Sequence, residues 1–314
     1  MKKIIVCGAG GFVGHHLARR LKNLGNYVIG LDLHYPEFCS ADDVSNEFHL
    51  HDCRTGISDF LQNVEEVYQL AADMGGAGYI FTGNHDADIM SNSAMINLQI
   101  LKDCVGKIQK IFFSSSACVY PEYNQLDSAN PVCTEESAYP AQPDSEYGWE
   151  KLFSERLYQA YYKNYGLRVA IGRFHNVYGP ECAYNNGKEK AVMAISRKIL
   201  TPDNVIQIWG SGSQTRSFLY IDDCIDGIMS LMASDYTHPL NIGSEEKISI
   251  NDLAKKIMCM VGKNLEIMNV DGPVGVNGRT SDNTRITQVT GWSPRHKLEE
   301  GLKKTLNWLE QQLR

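Results

Sequence analysis

The sequence lacks a long hydrophobic run and lacks cysteine pairs at metal-binding spacing. No apolar stretch approaches the ~18 residues of a membrane-spanning helix, and the apolar N-terminal run stops in glycines, too short for a signal sequence. The nine cysteines are odd in number and include no C-x-x-C pair. We therefore expect neither a zinc or other metal site nor a disulfide framework. Free thiols suit a reducing cytosol, and with no hydrophobic span we expect by default a cytoplasmic protein with no membrane partner.

Positive charge is also scarce. The 30 Lys and Arg residues are outnumbered by 37 Asp and Glu, which gives a formal net charge of −7 and argues against a nucleic-acid partner. The 314 residues, 43% of them hydrophobic, are enough for a substantial core in one large or two modest domains.

Short β-rich runs alternate with helical stretches along the first half of the chain. Strands are predicted at 3–6, 27–31, 64–70, 110–113 and 167–172, and helices at 12–24, 88–105 and 147–165. This alternation predicts parallel β-α-β units and hence a Rossmann-type doubly wound α/β fold.

A glycine motif lies between the first predicted strand and the first predicted helix. Residues 8–14 read GAGGFVG, which spaces Gly8, Gly11 and Gly14 as G-x-x-G-x-x-G. A tight turn, close approach to a pyrophosphate and close helix–strand packing each exclude a Cβ atom. The helix N-terminus, with Phe12 and Val13, offers unpaired N–H groups to phosphates. The motif predicts a dinucleotide site.

Asp32 identifies the dinucleotide. It lies 18 residues after Gly14 at the end of the second predicted strand, where a carboxylate can bind both adenosine ribose hydroxyls and repel a 2′-phosphate. NAD is therefore the predicted cofactor, rather than NADP. Asp52 follows another predicted strand and could contact the adenine, although a plain surface acid remains the alternative. Ala71, directly after the run at 64–70, is a further candidate cofactor contact.

The pattern changes beyond about residue 172, where turn-forming residues become frequent and helices recur at 250–261 and 298–313. We predict an NAD-binding Rossmann domain at 1–172. Residues 173–314 are predicted to form a smaller α/β substrate domain, with some segments returning to the first domain.

Tyr147 and Lys151 form a Y-x-x-x-K pair on one face of a predicted helix. A nearby ammonium lowers the pKa of a phenol, which could then take a proton from a sugar hydroxyl while hydride leaves for NAD. Lys151 would also hold the nicotinamide ribose. Ser116 follows the strand predicted at 110–113 and could bind the reacting hydroxyl from the strand's carboxyl end.

These motifs together resemble the extended short-chain dehydrogenase/reductases that modify nucleotide sugars. The resemblance covers almost the whole chain and rests on GAGGFVG, on SSSACVYP at 114–121, on YGWEK at 147–151 and on RFHNVYGP at 173–180. It implies Ser116, Tyr147 and Lys151 as the hydride-transfer triad. It also implies a homodimer formed through helices such as 88–105 and 147–164.

Further strings are similar to one branch of that family, which inverts C3 and C5 of a GDP-linked sugar: AADMGGAGYI at 71–80, GKEKA at 187–191, GSQTRSF at 212–218 and GRTSDN at 278–283. The related sugar 4,6-dehydratases carry an Asp–Glu pair after the strand-end Ser or Thr. Ala117 and Cys118 stand there in this chain, so loss of water from C6 lacks its acid and base.

Epimerisation inverts a C–H bond that no side chain can deprotonate directly. Oxidation of C4 to a ketone acidifies the hydrogens on C3 and C5, and Tyr147 and Ser116 can stabilise the resulting enolate. Inversion then needs a base on one face of the ring and an acid on the other. The resemblance assigns these roles to Cys118 and Lys190, and which of them removes the proton stays open.

Arg216 and Arg279 are candidates for the substrate diphosphate, because guanidinium groups bind phosphate oxygens in pairs. Lys198 is a third candidate cation. Other expected substrate contacts come from Gly76, Ser115, Ser116, Asn176, Glu189, Lys190, Gln214 and Ser217. We expect His175 to be structural.

Two other functions remain open at this stage. One is an epimerase of another GDP-sugar, such as a GDP-heptose or a 4-keto-6-deoxy sugar. The other is a non-catalytic NAD(H)-binding regulatory protein, against which the intact Ser116, Tyr147 and Lys151 set argues.

Overall fold

A computed structural model describes residues 1–201 and 204–314. The strands over these residues are β1 Lys3–Cys7, β2 Tyr27–Asp32, β3 Glu47–Leu50, β4 Glu66–Gln69, β5 Lys110–Ser116, β6 Arg168–Phe174, β7 Val177–Tyr178, β8 Val205–Trp209, β9 Thr215–Ser217, β10 Leu219–Tyr220, β11 Pro239–Ile242, β12 Lys247–Ser249, β13 Glu266–Val270 and β14 Gly278–Arg279. The helices are α1 Phe12–Asn23, α2 Ala41–Val44, α3 Ala77–Ile80, α4 Asp86–Cys104, α5 Glu146–Tyr165, α6 Ala191–Leu200, α7 Ile221–Ala233, α8 Ile250–Met260, α9 Thr284–Thr290 and α10 Leu298–Gln312.

A seven-stranded parallel sheet forms the centre of the molecule, in the order β11-β6-β5-β4-β1-β2-β3. One apolar cluster packs α1 and α7 on one face, and a second packs α4 and α5 on the other. Burial on both faces explains why a strand such as KIIVC is almost continuously apolar. The predicted Rossmann-type doubly wound fold is confirmed.

The strand order reverses at β1, which pairs with β2 on one side and β4 on the other. In open α/β sheets the ligand crevice lies at such a switch point, outside the carboxyl ends of the strands. Cys7, Asp32 and Ser116 are the last residues of β1, β2 and β5. The glycine motif, the acidic residue and the serine therefore meet at the same edge.

The second half of the chain returns to the central sheet. Strand β11 pairs with β6 from Pro239 opposite Ile171 to Ile242 opposite Phe174. The other C-terminal strands form three small sheets, β10-β7, β12-β9-β14 and β13-β8. The boundary at residue 172 stays a prediction, because the two halves share the central sheet.

No helix in the part of the chain that the structure describes is both long enough and apolar enough to cross a bilayer.

Candidate active site

The glycine loop after β1 is shaped by its packing. Gly8 has φ +83°, and a Cβ atom there would lie 2.7 Å from the Ala71 nitrogen. A Cβ on Gly14 would lie 1.8 Å from the Gly8 oxygen. Gly11 differs, because its Cβ would meet only the Gly8 oxygen, at 3.4 Å. Packing inside the protein therefore explains Gly8 and Gly14, whereas the open space at Gly11 fits the close approach of a ligand.

Gly11 is also the N-cap of α1. Within the described residues no side chain caps this helix and no acidic residue occupies its first turn. The first N–H groups of the helix, including those of Phe12 and Val13, have no partner within it. This uncapped N-terminus beside an open glycine fits the pyrophosphate of NAD.

Asp32 lies against the same loop. Its Oδ2 accepts a hydrogen bond from the Gly10 nitrogen at 2.9 Å, and its Oδ1 accepts one from the His34 nitrogen at 3.1 Å. A carboxylate has about four acceptor positions, so two remain for ribose hydroxyls. Asp32 therefore fits the predicted ribose contact.

Asp52 is bound to its own turn. Arg54 holds the carboxylate through its Nε at 3.0 Å from both oxygens and its Nη2 at 2.7 Å from Oδ2. These hydrogen bonds lower the pKa of Asp52. Its contact with the adenine stays a prediction.

Helix α5 brings Tyr147 to the turn that follows β5. The Ser145 hydroxyl caps the helix by accepting a hydrogen bond from the Gly148 nitrogen at 3.2 Å. A Cβ on Gly148 would lie 2.2 Å from the Cys118 oxygen, so only glycine allows the helix to pack this closely on that turn. Tyr147 and Cys118 consequently belong to one apolar cluster.

Lys151 donates a hydrogen bond to the Ser114 carbonyl at 3.0 Å, and its Nζ lies 5.7 Å from the centroid of the Tyr147 ring. Burial lowers the pKa of Lys151. Burial raises the pKa of Tyr147, and the Ser116 hydroxyl only partly offsets this effect. The expectation that Lys151 lowers the pKa of the phenol stays a prediction, because burial is the largest effect on Tyr147 in the protein alone.

Two successive serines at the end of β5 have different surroundings. The Ser116 oxygen accepts a hydrogen bond from the Cys118 nitrogen at 3.2 Å and so caps the turn Ala117–Val119. The Ser115 hydroxyl donates to Glu155 Oε1 at 2.5 Å inside the protein. Successive side chains of a strand point to opposite faces, so the Ser115 side chain faces away from that of Ser116, and the contact of Ser115 with substrate stays a prediction.

Cys118 lies beside a buried guanidinium. Arg279 donates from Nη1 to the Cys118 sulfur at 3.1 Å, from Nη2 to Asp144 Oδ2 at 2.9 Å and from Nε to Gln125 Oε1 at 2.5 Å. Burial raises the pKa of Cys118, while the charge of Arg279 acts to lower it. Diphosphate binding by Arg279 stays a prediction, because its nitrogens already have partners here.

Arg216 lies next to Arg279, since the two residues are paired in register on the parallel strands β9 and β14. Arg216 Nη2 donates to the carbonyls of Val274 at 3.0 Å and Val276 at 2.7 Å. Burial, followed by the charge of Arg279, lowers the pKa of Arg216 to about 10. Two adjacent guanidinium groups beside the carboxylate of Asp144 carry more positive than negative charge, which suits a diphosphate.

Lys190 is the N-cap residue of α6. Its positive charge acts on two buried thiols, Cys182 and Cys224, whose pKa values it lowers against the larger effect of burial. The charged groups that act on Cys118 are Arg279 and Asp144. Direct cooperation of Lys190 with Cys118 stays a prediction.

The GKEKA loop nevertheless contacts the site through Gly76. The Gly76 nitrogen donates to the Lys188 carbonyl at 3.1 Å, and a Cβ on Gly76 would lie 2.1 Å from the Glu189 oxygen. The side chain of Glu189 accepts a hydrogen bond from the Gly187 nitrogen at 3.0 Å.

The side chains of three further residues predicted to bind substrate donate hydrogen bonds to backbone carbonyls. Asn176 donates to the Ser217 carbonyl at 2.8 Å. Lys198 donates to the Gln207 carbonyl at 3.0 Å, and Gln214 donates to the Trp209 carbonyl at 2.9 Å. Their contacts with substrate stay predictions.

Sequence reasoning missed Asp144 and Gln125, the partners of Arg279. Asp144 immediately precedes the Ser145 cap of the predicted helix, and this position was its only local signal. His175 is fully buried and bonds to Asn241 Oδ1 at 3.0 Å, as expected of a structural histidine.

Residues 4–243 match the model of the NAD dependent epimerase/dehydratase family, and the chain belongs to that family. NAD is accordingly the cofactor, and its contacts with the uncapped helix and with Asp32 stay predictions.

Comparison with individual proteins narrows the match within this family. The chain is 43% identical to GDP-mannose 3,5-epimerase of Arabidopsis thaliana over 314 residues, covering 99% of this chain and 83% of the relative. It is 29% identical to GDP-L-fucose synthase of Sinorhizobium fredii, covering 97% and 94%. A solved UDP-glucuronic acid 4-epimerase from Bacillus cereus, in complex with UDP-glucuronic acid and NAD, superposes with a TM-score of 0.84 at 27% identity, covering 99% of each chain.

Proposed function

We propose that this chain converts GDP-mannose to GDP-L-galactose by inversion at C3 and C5, and to GDP-L-gulose by inversion at C5 alone. The observation that carries the proposal is the 43% identity to GDP-mannose 3,5-epimerase along 99% of the chain. The position of Cys118 beside Tyr147, in place of a dehydratase carboxylate, supports the same reaction.

The first step is removal of hydrogen from C4 and its hydroxyl. NAD held by the glycine loop and Asp32 would supply the hydride acceptor for C4 and the hydride donor after inversion, and its oxidised ring would add a positive charge to the site. Tyr147 takes the hydroxyl proton, and Ser116 holds the same oxygen by a hydrogen bond. Burial raises the pKa of Tyr147 in the protein alone, and a nearby positive charge would act in the opposite direction.

The second step exchanges protons at C3 and C5. The Cys118 sulfur lies at the end of the strand that carries Ser116, and Arg279 stabilises its thiolate. Lys190 supplies the complementary group from the other half of the chain. Arg216 and Arg279 hold the diphosphate, and Lys198 is the third cation.

We propose that the protein works as a homodimer in a reducing compartment such as the cytoplasm. On α5, Trp149 and Phe153 are one turn apart and are 41% and 49% exposed. On the neighbouring α4, Met90 and Met95 are 36% and 46% exposed. Exposed apolar side chains on two helices that contact each other suit packing against a second copy of the chain. All nine cysteines are free thiols, which suits the compartment.

Proton NMR in D2O tests the reaction directly. Wild-type protein incubated with GDP-mannose should lose the H3 and H5 signals and give new GDP-sugar resonances. Cys118→Ala and Lys190→Ala should abolish this exchange, while Cys259→Ala, at an exposed cysteine, should keep it.

Other outcomes would reject the assignment. If GDP-mannose stays unchanged while a GDP-heptose or a 4-keto-6-deoxy sugar undergoes exchange, the proposed mechanism stands and the assignment of GDP-mannose as substrate is rejected. Absence of exchange in every nucleotide sugar, with NAD bound, would favour a regulatory NAD(H)-binding protein.

A further inference from the structure

The loop that carries Lys190 meets a segment of the first half of the chain. This loop runs from β7 to α6 and ends at Lys190, the N-cap of α6. Its backbone touches Gly76 at two consecutive residues, since Lys188 accepts a hydrogen bond from Gly76 and Glu189 lies where a Cβ on Gly76 would be.

The side chain of Lys188 adds a second attachment. Its Nζ lies 4.0 Å from the centroid of the Tyr79 ring and 4.0 Å from Asp73 Oδ1. An ammonium over an aromatic face is attracted by the ring quadrupole, and a carboxylate at this distance adds to the attraction. Lys188 therefore spans from its loop to two residues of the segment 73–80.

The two partners of Lys188 are themselves fixed. The Tyr79 hydroxyl donates to Asp73 Oδ1 at 2.8 Å, and the ring stacks on His85 with centroids 4.1 Å apart. Asn92, on α4, donates to Asp73 Oδ2 at 2.9 Å. The ammonium thus rests on a ring and a carboxylate that the first half of the chain already holds.

The hydroxyl of Tyr79 stays protonated at neutral pH. Burial, with the hydrogen bond to Asp73 as the next cause, raises the pKa of Tyr79 to about 12. The hydroxyl therefore remains a donor to Asp73, and the attachment persists at neutral pH.

We propose that Lys188 is a positioning residue, which fixes the loop so that Glu189 and Lys190 face the reacting sugar. Tyr79 connects this attachment to the site, because it belongs to the same apolar cluster as Tyr147 and Cys118. The proposal rests on the proposed function, since the part of Lys190 in proton exchange is itself proposed.

The position of Lys190 should affect proton exchange at C3 and C5 and should not affect oxidation at C4. Oxidation at C4 uses Tyr147 and Ser116, neither of which lies on the loop. Proton exchange at C3 and C5 uses Lys190. Loss of Lys188 should therefore slow exchange and leave C4 oxidation, a separation that general destabilisation would not produce.

The experiment compares Lys188→Met with wild type, with Lys188→Arg and with the matched control Lys255→Met. Lys255 is an exposed lysine on α8 that pairs with Asp252 at 3.4 Å. Deuterium incorporation at C3 and C5 measures exchange, and absorbance at 340 nm after addition of GDP-mannose measures C4 oxidation. For Lys188→Met we expect exchange to fall on the order of 10²-fold, as for a misplaced catalytic group, with the 340 nm change retained. Arginine keeps the cation over the ring and should restore exchange, and Lys255→Met should match wild type.

Equal loss of both signals in Lys188→Met, or unchanged exchange, would overturn the proposal. Backbone hydrogen exchange of residues 184–190 gives a readout that needs no substrate, and it should be faster in Lys188→Met than in wild type. Unchanged protection there would also overturn the proposal. If wild type fails to act on GDP-mannose while protection of the loop still falls in the variant, then the proposed function fails and the attachment by Lys188 stands.

Discussion

Arg279 donates a hydrogen bond to the sulfur of Cys118 at 3.1 Å, although 161 positions separate the two residues in the chain. The guanidinium is buried and also pairs with Asp144 at 2.9 Å. A cation in contact with sulfur favours the thiolate, whereas burial favours the thiol. The reactivity of Cys118 therefore depends on the balance between these two effects.

Removal of the cation should make Cys118 less reactive. In wild type, where burial raises the pKa of Cys118, we expect alkylation by iodoacetamide to rise at a higher pH than for a free thiol. In Arg279→Gln combined with Asp144→Asn, which removes both charges, the rise should move to still higher pH. Mass spectrometry of the Cys118 peptide measures the profile, and the exposed Cys259 serves as the reference in the same sample. A profile that moves to lower pH would contradict this account.

Asp32 should determine the affinity for NAD. The substitution Asp32→Ala removes the charged acceptor of two ribose hydroxyls, at about 1.5–3 kcal/mol each, so NAD binding should weaken roughly 10²- to 10⁴-fold. Discrimination against NADP should weaken as well, since the charge that repels a 2′-phosphate is gone. Calorimetric titration of cofactor-free protein measures both affinities. Asp59→Ala, at an exposed acid, is the control and should bind NAD as wild type does.

The exposed apolar face on α4 and α5 should mediate dimerisation. Phe153→Glu places a charge among its exposed apolar side chains and should shift the protein from dimer to monomer in sedimentation velocity. Tyr162→Glu, at an exposed residue on a different side of the same helix, should leave the dimer intact. A wild-type protein that sediments as a monomer would refute the assignment of this face.

The buried ion pair behind the site should matter for stability. Arg173 holds Glu155 through Nε at 2.8 Å and Nη2 at 2.7 Å, and both side chains are almost inaccessible to solvent. Arg173→Met leaves a buried carboxylate without its partner, so the free energy of unfolding should fall by about 3–5 kcal/mol. Urea denaturation measures this loss. Adding Glu155→Gln to Arg173→Met removes the unpaired charge and should recover part of the loss, and additivity of the two single effects would contradict the pairing.

Acid should destabilise the protein partly through His175. Burial lowers the pKa of His175 to about 3, below the ordinary value near 6.5. Between these two pH values the unfolded chain therefore binds a proton at His175 and the folded chain does not. As the pH is lowered from about 6.5 to about 3, the free energy of unfolding should thus decrease by about 1.4 kcal/mol per pH unit because of this group.

Denaturation across that pH range measures the slope. His175→Asn should reduce the slope of the free energy of unfolding against pH by the contribution of one proton, whatever the variant's stability at neutral pH. His238→Asn, at an exposed histidine, should leave it unchanged. Equal slopes in the two variants would count against a neutral His175.

The sequence predicts best those features whose residues are close together in the chain. The glycine loop and Asp32 follow from a strand, a turn and a helix in direct succession, and the structure has all three. The end of β5 was less predictable, because serines have low strand propensity and only burial in the sheet extends the strand to Ser116. The contact of Arg279 with Cys118 joins distant parts of the chain, so no local pattern could indicate it.

The position of β11 at the edge of the central sheet governs how the protein can be made. During translation, β6 has no neighbour on its outer side until Ile242 has left the ribosome, and an unpaired parallel edge is prone to aggregate. A fragment that stops at residue 172 would expose this edge permanently, even though it contains the whole glycine loop. The nucleotide-binding half is therefore unsuited to expression by itself. Any truncated version of this protein intended for cofactor studies must extend beyond β11.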